Sequence, residues 1–288
     1  AILQTKFTYE MPVASAQVKS SILLAGLAAK SETQVIEPIQ TRDHTERMLK
    51  NFGANLEITL QDSKNVIQLS PSNNLQAKDY TVVGDISSAA FLIVAALISN
   101  SSGLEITNVG MNPSRTGVLI ALKKMGANIE VKNQRLESGE PCADLEVKRS
   151  TLRGVELSGE IIPNIIDEIP ILSIAAAFAD GETLIRDAAE LRVKESDRLK
   201  AISDGFGSLG IIHKNFEDGM SITGNPNMLS IKQPTFLESH DDHRIAMSFL
   251  IAGLKCSKPI IVKDCKNIFT SFPDFIELIS SIGYKLEK

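Results

Sequence analysis

The sequence predicts a layered fold of alternating strands and helices, of the α/β or α+β class. Two observations support this: short β-prone runs alternate with helical patterns, and one supersecondary unit is repeated along the chain. Residues 52–57 resemble residues 125–130, and both begin a Gly-Ala-Asn sequence at their second position. Weaker copies at 209–212 and 282–285 place the four glycines 73, 84 and 73 residues apart. So long a period indicates duplication of a whole unit, since solenoid repeats are shorter.

The second copy shows the predicted order of elements. In chain order they are a strand at 80–83, a helix at 87–98, a strand at 104–107, a helix at 116–125 and strands at 128–131 and 145–147. The second helix carries Val118, Leu119 and Leu122 at helical spacing, and Gly126 ends it. The unit is therefore predicted to be βαβαββ.

The remaining copies repeat this plan with small losses. Their helices are expected near 16–27, 45–51, 168–178, 198–208, 245–253 and 273–281. The first copy keeps an opening strand at 7–11, and the last copy lacks its final strand.

Composition excludes several classes of protein. Hydrophobic residues make up 43% and charged residues 23%, which is typical of a packed globular chain and not of a disordered one. A net charge of -5, 5% aromatic residues and no basic runs argue against a nucleic-acid partner. The longest apolar run, 89–98, is well below the roughly 18 residues that a membrane span needs. Cys142, Cys256 and Cys265 form no CxxC pair, so we expect free thiols and a reducing, cytoplasmic location.

Charged side chains stand at or before several predicted helix starts. A helix N-terminus carries about half a positive charge, so acidic and hydroxyl residues there act as caps, which suffices for Asp85 and Ser114. Capping does not explain Arg42, Arg198 and Arg244, because cations oppose the helix dipole. A bound anion would remove that conflict. We therefore predict that several helix starts converge on one region that binds phosphate and carboxylate.

The sharpest motif is Arg-Val-Lys-Glu-Ser-Asp-Arg at 192–198. Lys194 and Arg198 are four residues apart and are predicted to share a helix face, with Glu195 beside the anion. The alternative is an ordinary solvated charged helix, which the flanking apolar residues disfavour. Asp167 lies between two isoleucines and an apolar helix, where it is either an N-cap or a base, and the sequence leaves both open.

Other chemistry is less well supported. His240 and His243 form an HxxH pair, but zinc needs a further ligand, and neither His44 nor His213 is suitably spaced. The chain has no GxxxxGK[ST] or GxGxxG sequence, which disfavours nucleotide sites.

Four stretches resemble the enolpyruvyl transferase family, and within it the members that act on shikimate 3-phosphate. They are PVASAQVKS at 12–20, TRDHTERML at 41–49, LRVKESDRL at 191–199 and DHRIAM at 242–247, with support from GDISS at 84–88 and SFPD at 271–274. The SAQ, TRDHTE and Thr270 features resemble the branch whose members tend to tolerate glyphosate. The resemblance covers all of this chain but about the C-terminal two thirds of the family sequence. We therefore expect a shortened first domain, 1–83, and a second domain, 84–288, each built from βαβαββ units.

The resemblance also implies a reaction and roles. The enolpyruvyl group of phosphoenolpyruvate is transferred to the 5-hydroxyl of shikimate 3-phosphate by addition and elimination, without metal or cofactor, by a monomeric full-length enzyme. Asp167 would be the base near the hydroxyl, and Glu195 with Lys194 would handle the methylene proton. The ligands of phosphoenolpyruvate and phosphate would be Lys194, Arg198, His243 and Arg244. Those of shikimate 3-phosphate would be Ser15, the backbone of Ala16, Gln17 and Arg42.

Two other hypotheses remain open at this point. A sister enolpyruvyl transferase acts on a UDP-sugar, but it typically carries a reactive cysteine in its first half, where this chain has none before Cys142. The chain could also be a non-catalytic fragment, because the Lys-Ser pair, glycine-rich loop and arginines that open family members do not precede Ala1. We expect residues 1–288 alone to be nearly inactive.

Overall fold

The computed structural model describes residues 6–71, 75–100 and 102–286. They fall into two compact units. Unit 1 comprises Ala1–Val83, Gly110–Ser114 and Gln134–Cys142, and unit 2 comprises Gly84–Val109, Arg115–Asn133 and Ala143–Lys288. The two short segments of unit 1 lie in the range that the sequence analysis assigned to the second domain. The domain boundaries at 83 and 84 therefore stay a prediction.

Unit 1 contains the first copy of the repeat. Its elements are strands β1 (Lys6–Glu10), β2 (Glu32–Glu37), β3 (Leu56–Gln61) and β4 (Lys64–Leu69) and helices α1 (Ala16–Ala29) and α2 (His44–Asn51). The sheet order is β1-β2-β4-β3, in which β1 and β2 are parallel and the other pairs antiparallel. Its core is centred on fully buried side chains such as Leu23, Val35 and Leu69.

The other three copies follow along the chain. The second contains α3 (Ile86–Ile98), β5 (Leu104–Gly110), α4 (Gly117–Lys124), β6 (Asn128–Glu137) and β7 (Glu140–Lys148). The third contains β8 (Glu156–Leu157), α5 (Ile162–Ile165), α6 (Ile169–Ala177), β9 (Gly181–Ile185), α7 (Arg198–Leu209), β10 (His213–Phe216) and β11 (Gly219–Gly224). The fourth contains β12 (Thr235–Glu238), α8 (His243–Gly253), β13 (Ile260–Lys263), α9 (Ile268–Ser271) and α10 (Phe275–Ser281).

Strand pairing confirms the predicted repeat. The third copy has the order β8-β9-β11-β10, with the same strand directions as in unit 1. The second copy has β5-β7-β6, and the fourth has the parallel pair β12-β13. The duplicated glycines also have one shared role: Gly53, Gly126 and Gly283 stand two residues after a helix at φ values of 89°, 90° and 92°. Glycine adopts this left-handed conformation without the steric cost that a Cβ would bring.

One predicted strand is wrong. Residues 80–83 form no strand, and only Gly84 makes an isolated parallel bridge, to Val109. The reason lies in the backbone partners, because the amide of Thr81 donates to the side chain of Ser138 at 2.9 Å and so cannot join a ladder there.

Three apolar helices form the centre of unit 2. Helices α3, α6 and α8 contact one another, and α7 contacts both α6 and α8. Every residue of α6 is buried, and in α3 every residue except Ser88 is buried. Because these helices are largely apolar on all sides, the charged side chains of this region are confined to the helix ends. The starts of α3, α6, α7 and α8 are therefore where charged chemistry can be placed.

Candidate functional site

Arg198 is the centre of a cluster of charged groups at the start of α7. Its side chain is only 1% exposed, although a buried guanidinium is costly unless it is fully paired. Three carboxylates pair it: Nε donates to Asp242 at 2.8 Å, Nη1 to Asp167 at 3.3 Å and Nη2 to Glu195 at 2.6 Å. We call these four residues the Arg198 cluster. They bring the starts of α6, α7 and α8 together, as predicted.

The cluster adds partners that were not predicted. An external anion is the expected partner of Arg198 at the start of α7, whereas here three carboxylates of the chain pair with it. Anion binding by Arg198 stays a prediction. Asp242 is fully buried and also caps α8, accepting from the amides of Arg244 and Ile245 at 2.9 and 3.4 Å. Burial acts to raise the pKa of Asp242, but the hydrogen bond and charge of Arg198, together with the two backbone amides, outweigh it, so that the pKa lies below its ordinary value.

Lys194 reaches the same cluster by a different route from the one predicted. Helix α7 begins at Arg198 with Asp197 as its N-cap, so Lys194 precedes the helix and shares no helix face with Arg198. Its Nζ nevertheless lies 3.8 Å from Oδ1 of Asp167 and pairs with Glu190. Asp197 caps the helix by accepting from the amide of Lys200, so Lys194 lies in the irregular segment before the helix. Two cations therefore meet the carboxylate of Asp167.

Arg244 is held by the segment that precedes α6. Its Nη1 donates to the backbone oxygen of Asp167 at 2.8 Å and to Oε1 of Glu168 at 3.2 Å. The helix starts at Ile169, so the N-cap position is Glu168 and Asp167 lies before it. Glu168 makes no side-chain cap hydrogen bond, and Asp167 does not occupy the N-cap position, so the N-cap interpretation of Asp167 is wrong.

Glu168 was missed in the sequence analysis. It is 5% exposed and accepts from the hydroxyl of Ser87, to which Nη2 of Arg115 in turn donates at 2.6 Å. The signal was present, because two adjacent acids stand between apolar runs, and a buried second acid requires a partner. Asp85 caps α3 as predicted, accepting from the amides of Ser87 and Ser88 at 3.2 and 3.1 Å.

The other predicted cap is wrong. Ser114 does not cap α4, whose N-cap position is Thr116. Instead its hydroxyl donates to Oδ1 of Asn112 at 2.8 Å, within the short segment that belongs to unit 1.

His243 is half-buried at the first position of α8. Burial lowers its pKa below the ordinary 6.5, and the charge of Arg244 lowers it further. The imidazole is therefore neutral at pH 7, and it is protonated more readily only when an anion offsets the charge of Arg244.

We expect the C–H resonances of His243 to titrate with a midpoint below pH 6.5 in NMR spectra of the free chain. The substitution Arg244→Gln should raise that midpoint, because it removes a repelling positive charge. The matched control is Arg149→Gln, since the charge of Arg149 acts on Lys255. An unchanged or lower midpoint in Arg244→Gln would contradict this account of the electrostatics.

The remaining predicted residues lie in unit 1. Ser15 caps α1, since its hydroxyl oxygen accepts from the amide of Val18 at 3.4 Å. Ala16 is the first residue of the helix, and Gln17, which is exposed, lies beside Ser15. Arg42 is exposed in the connection between β2 and α2. Within the unit these residues stand at the starts of two consecutive helices, as the sequence predicts.

A buried ion cluster joins those two helix starts, and the sequence analysis missed it. Lys19 on α1 is fully buried, with its Nζ 3.1 Å from Glu37 at the end of β2 and 2.7 Å from Glu46 on α2. Glu37 also accepts from the backbone amide and the hydroxyl of Thr41 at 3.3 and 2.7 Å. The cluster thereby fixes the residue next to Arg42 relative to the helix that Ser15 begins.

Two other kinds of feature are not found in the described part of the chain. No helix there is both long and apolar enough to cross a bilayer. Among residues 6–71, 75–100 and 102–286, no three His, Cys, Asp or Glu side chains are grouped so as to hold a metal ion.

Known proteins match this chain over nearly its whole length. The family model of EPSP synthase (3-phosphoshikimate 1-carboxyvinyltransferase) matches residues 3–279. Proteins named 3-phosphoshikimate 1-carboxyvinyltransferase are similar to this chain: one from Magnetococcus marinus is 50% identical over 97% of the chain, and one from Petrotoga mobilis 53% over 98%. The chain covers 62% and 65% of those two proteins.

Solved structures give the same result for the fold. The EPSP synthase structure from Acinetobacter baumannii superposes with a TM-score of 0.90 at 46% identity, over 97% of this chain and 63% of that one. The enolpyruvyl transferase NikO from Streptomyces tendae superposes with a TM-score of 0.75 at 20% identity, over 97% of this chain and 64% of that one, which is evidence of a shared fold alone. The chain thus spans less than two thirds of the length of the relatives it matches.

Proposed function

The chain belongs to the EPSP synthase (3-phosphoshikimate 1-carboxyvinyltransferase) family, and on that premise we propose that it serves the transfer of the enolpyruvyl group from phosphoenolpyruvate to the 5-hydroxyl of shikimate 3-phosphate. The observation that carries the proposal is the arrangement of Lys194, Arg198 and Arg244 around the segment of Asp167. Both substrates carry a phosphate and a carboxylate, so their mutual repulsion has to be offset by cations. The names of the relatives favour this substrate over a UDP-sugar.

The reaction requires proton transfers at two centres. In the addition, the 5-oxygen loses its proton and bonds to C2 of phosphoenolpyruvate while the methylene carbon gains a proton. In the elimination, that carbon gives a proton back and the C2–O bond to phosphate breaks, which releases inorganic phosphate. Asp167 would accept the hydroxyl proton, and Glu195, with Lys194 beside it, would serve the methylene carbon. Glu195 suits a mobile role because its side chain is 53% exposed.

The cations of unit 2 would bind phosphoenolpyruvate and the departing phosphate. Lys194 and Arg244 are 21% and 16% exposed in their side chains, so both are accessible to a small ligand. Arg198 is already fully paired with carboxylates of the chain. It would bind the anion by releasing the exposed carboxylate of Glu195, whose place the anion would take. His243 would contribute once the anion has raised its pKa. No metal or cofactor is needed, because these side chains neutralise the developing charge.

Unit 1 would bind shikimate 3-phosphate. The hydroxyl of Ser15, the backbone amide of Ala16 and the amide of Gln17 stand at the first turn of α1, where N–H groups and the helix dipole favour a phosphate. Arg42 would add a cationic contact. We further propose a cytoplasmic, monomeric full-length enzyme.

The test is ligand binding by the 288-residue chain, measured by calorimetry with phosphoenolpyruvate and with shikimate 3-phosphate. Arg244→Ala and Lys194→Ala are each expected to weaken phosphoenolpyruvate binding by roughly tenfold to a hundredfold, the effect of losing one charge-assisted hydrogen bond. The matched control is Lys200→Ala, because Lys200 is an exposed lysine that pairs with Asp204 on α7.

Equal binding of phosphoenolpyruvate by all variants would contradict the assigned roles. Competition by UDP-N-acetylglucosamine against the binding of shikimate 3-phosphate would favour the hypothesis that the chain belongs to an enolpyruvyl transferase of a UDP-sugar. Phosphate release measured with both substrates tests catalysis separately. We expect the chain alone to release phosphate slowly or not at all, and turnover at the rate of a full-length relative would refute that expectation.

A further inference from the structure

Glu168 is a buried carboxylate for which the reaction provides no role. Its side chain is 6% exposed and lies at the start of α6, next to the residue we assign as the base. An ionised carboxylate in such a position is destabilising unless hydrogen-bond donors surround it. Two donors share its Oε1: the hydroxyl of Ser87 and Nη1 of Arg244, the latter at 3.2 Å.

The hydroxyl of Ser87 has a fixed direction. It donates to Glu168 while its oxygen accepts from Nη2 of Arg115 at 2.6 Å. The same Nη2 also donates to Asp85 at 2.9 Å, at the cap of α3. A continuous series of hydrogen bonds therefore runs from the start of α3 through Ser87 and Glu168 to Arg244. Because each link is anchored on a helix start, Glu168 has little freedom to turn.

Within the described residues, Arg244 is held at a single nitrogen, Nη1. Both of its side-chain hydrogen bonds to the described part of the chain use Nη1, one to Glu168 and one to the backbone oxygen of Asp167 at 2.8 Å. A guanidinium has five N–H donors in a planar fork, so fixing Nη1 at two acceptors also fixes the plane. The donors on Nε and Nη2 then remain for a ligand.

We propose that Glu168 is a positioning residue that fixes the guanidinium plane of Arg244 so that Nε and Nη2 are presented to the anionic group of phosphoenolpyruvate. The proposal rests on the proposed function for the identity of the anion. Glu168 does not touch the substrate and acts through Arg244. Ordering a long side chain before the ligand arrives lowers the entropy cost of binding, which is the physical gain.

The first test is phosphoenolpyruvate affinity in a double-mutant cycle. Glu168→Ala is expected to weaken binding on the order of tenfold, the effect of one long side chain that must be ordered by the ligand itself. Glu168→Gln keeps an acceptor for Ser87 and Arg244 and should restore most of the affinity. In an Arg244→Ala background, Glu168→Ala should have no further effect. The matched control is Ser173→Ala, a buried residue of α6 whose hydroxyl bonds to the backbone oxygen of Ile169 in its own helix.

A second readout needs no substrate. The ¹⁵N relaxation of the Arg244 guanidinium should show a rigid group in the unmodified chain and in Glu168→Gln, and a mobile one in Glu168→Ala. If phosphoenolpyruvate binds but Glu168→Ala changes neither affinity nor mobility, the positioning role is overturned while the proposed function stands. If phosphoenolpyruvate does not bind the unmodified chain, the proposed function fails, and the mobility of Arg244 alone decides whether Glu168 holds it. Should Glu168→Ala fail to fold, Glu168→Gln with an unchanged fold and a mobile Arg244 would also overturn the proposal.

Discussion

Replacing Arg198 by methionine is expected to lower the free energy of unfolding by about 3–5 kcal/mol, the usual loss when one partner of a buried ion pair is removed. Methionine fills much of the volume of the arginine side chain, so the loss of stability comes chiefly from the carboxylates that are left without a cation. Asp242 is fully buried and would keep its charge without a cation, whereas Glu195 is half-exposed and water can solvate it. Urea unfolding followed by circular dichroism measures the change.

The pH dependence of that loss gives a sharper test, because its sign is fixed. In the unmodified chain the pKa of Asp242 lies below its ordinary value of 3.8, so the stability it contributes is present above pH 3.8 and is lost as the pH falls through its folded value. Without Arg198, the amides of Arg244 and Ile245 still lower that pKa, but burial raises it with less opposition, so the pKa should be higher in the variant than in the parent. The variant therefore loses less stability on acidification than the parent does, and the difference between them should shrink as the pH falls.

The control for this prediction is Lys200→Met on the same helix. Lys200 is 66% exposed and pairs with Asp204 at 2.5 Å, so its removal should have little measurable effect. Equal free energies of unfolding for both variants and the parent would mean that the Arg198 cluster is not a stabilising ion network.

The repeat could be predicted from the sequence because it depends on local rules. A glycine is needed where a helix ends in the left-handed conformation, and Gly53, Gly126 and Gly283 therefore mark equivalent helix ends. Alternation of strand and helix patterns then defines the unit. The wrong strand at 80–83 has a nonlocal cause, because the amide of Thr81 is taken by Ser138, a residue far along the chain.

The charged residues of the candidate site could be predicted as a set but not as a geometry. The motif at 192–198 predicts side chains that lie in or beside the Arg198 cluster, yet α7 begins only at Arg198, after its cap Asp197, and this changes how Lys194 reaches Asp167. A spacing of four residues places two side chains on one helix face only if both belong to the helix, and Lys194 precedes the helix start at Arg198. The spacing rule therefore misses a contact that tertiary structure makes.

Buried charges whose partners lie on other elements were the least predictable. Lys19 lies in an apolar helix pattern and Glu168 beside another acid, and neither has a sequence neighbour that reveals its partner. Their partners come from other elements: Glu37 and Glu46 for Lys19, and Ser87 for Glu168. Such pairs depend on packing and can be found only once the elements are placed.

Lys19→Met is expected to destabilise unit 1 by about 3–5 kcal/mol at neutral pH, because two carboxylates that are each 2% exposed lose their shared cation. This destabilisation should become smaller as the pH decreases. Burial already raises the pKa of Glu46 above its ordinary value in spite of Lys19, and removing the lysine raises it further, so that a proton replaces the missing charge as the pH decreases. Hydrogen exchange of the amides of β2 and β4 measures this unit by itself.

Two further variants separate the ionic role of Lys19 from its volume. Glu46→Gln in the Lys19→Met background should recover part of the stability, since it removes one uncompensated charge. By contrast, Lys64→Met, which breaks an exposed pair with Glu10 in the same unit, should change the stability little.

Loss of Lys19 should also weaken the binding of shikimate 3-phosphate more than that of phosphoenolpyruvate, because Glu37 would no longer be held where it fixes Thr41 beside Arg42. Unchanged exchange rates in Lys19→Met, or an equal weakening of both ligands, would contradict a network that orders the first unit alone.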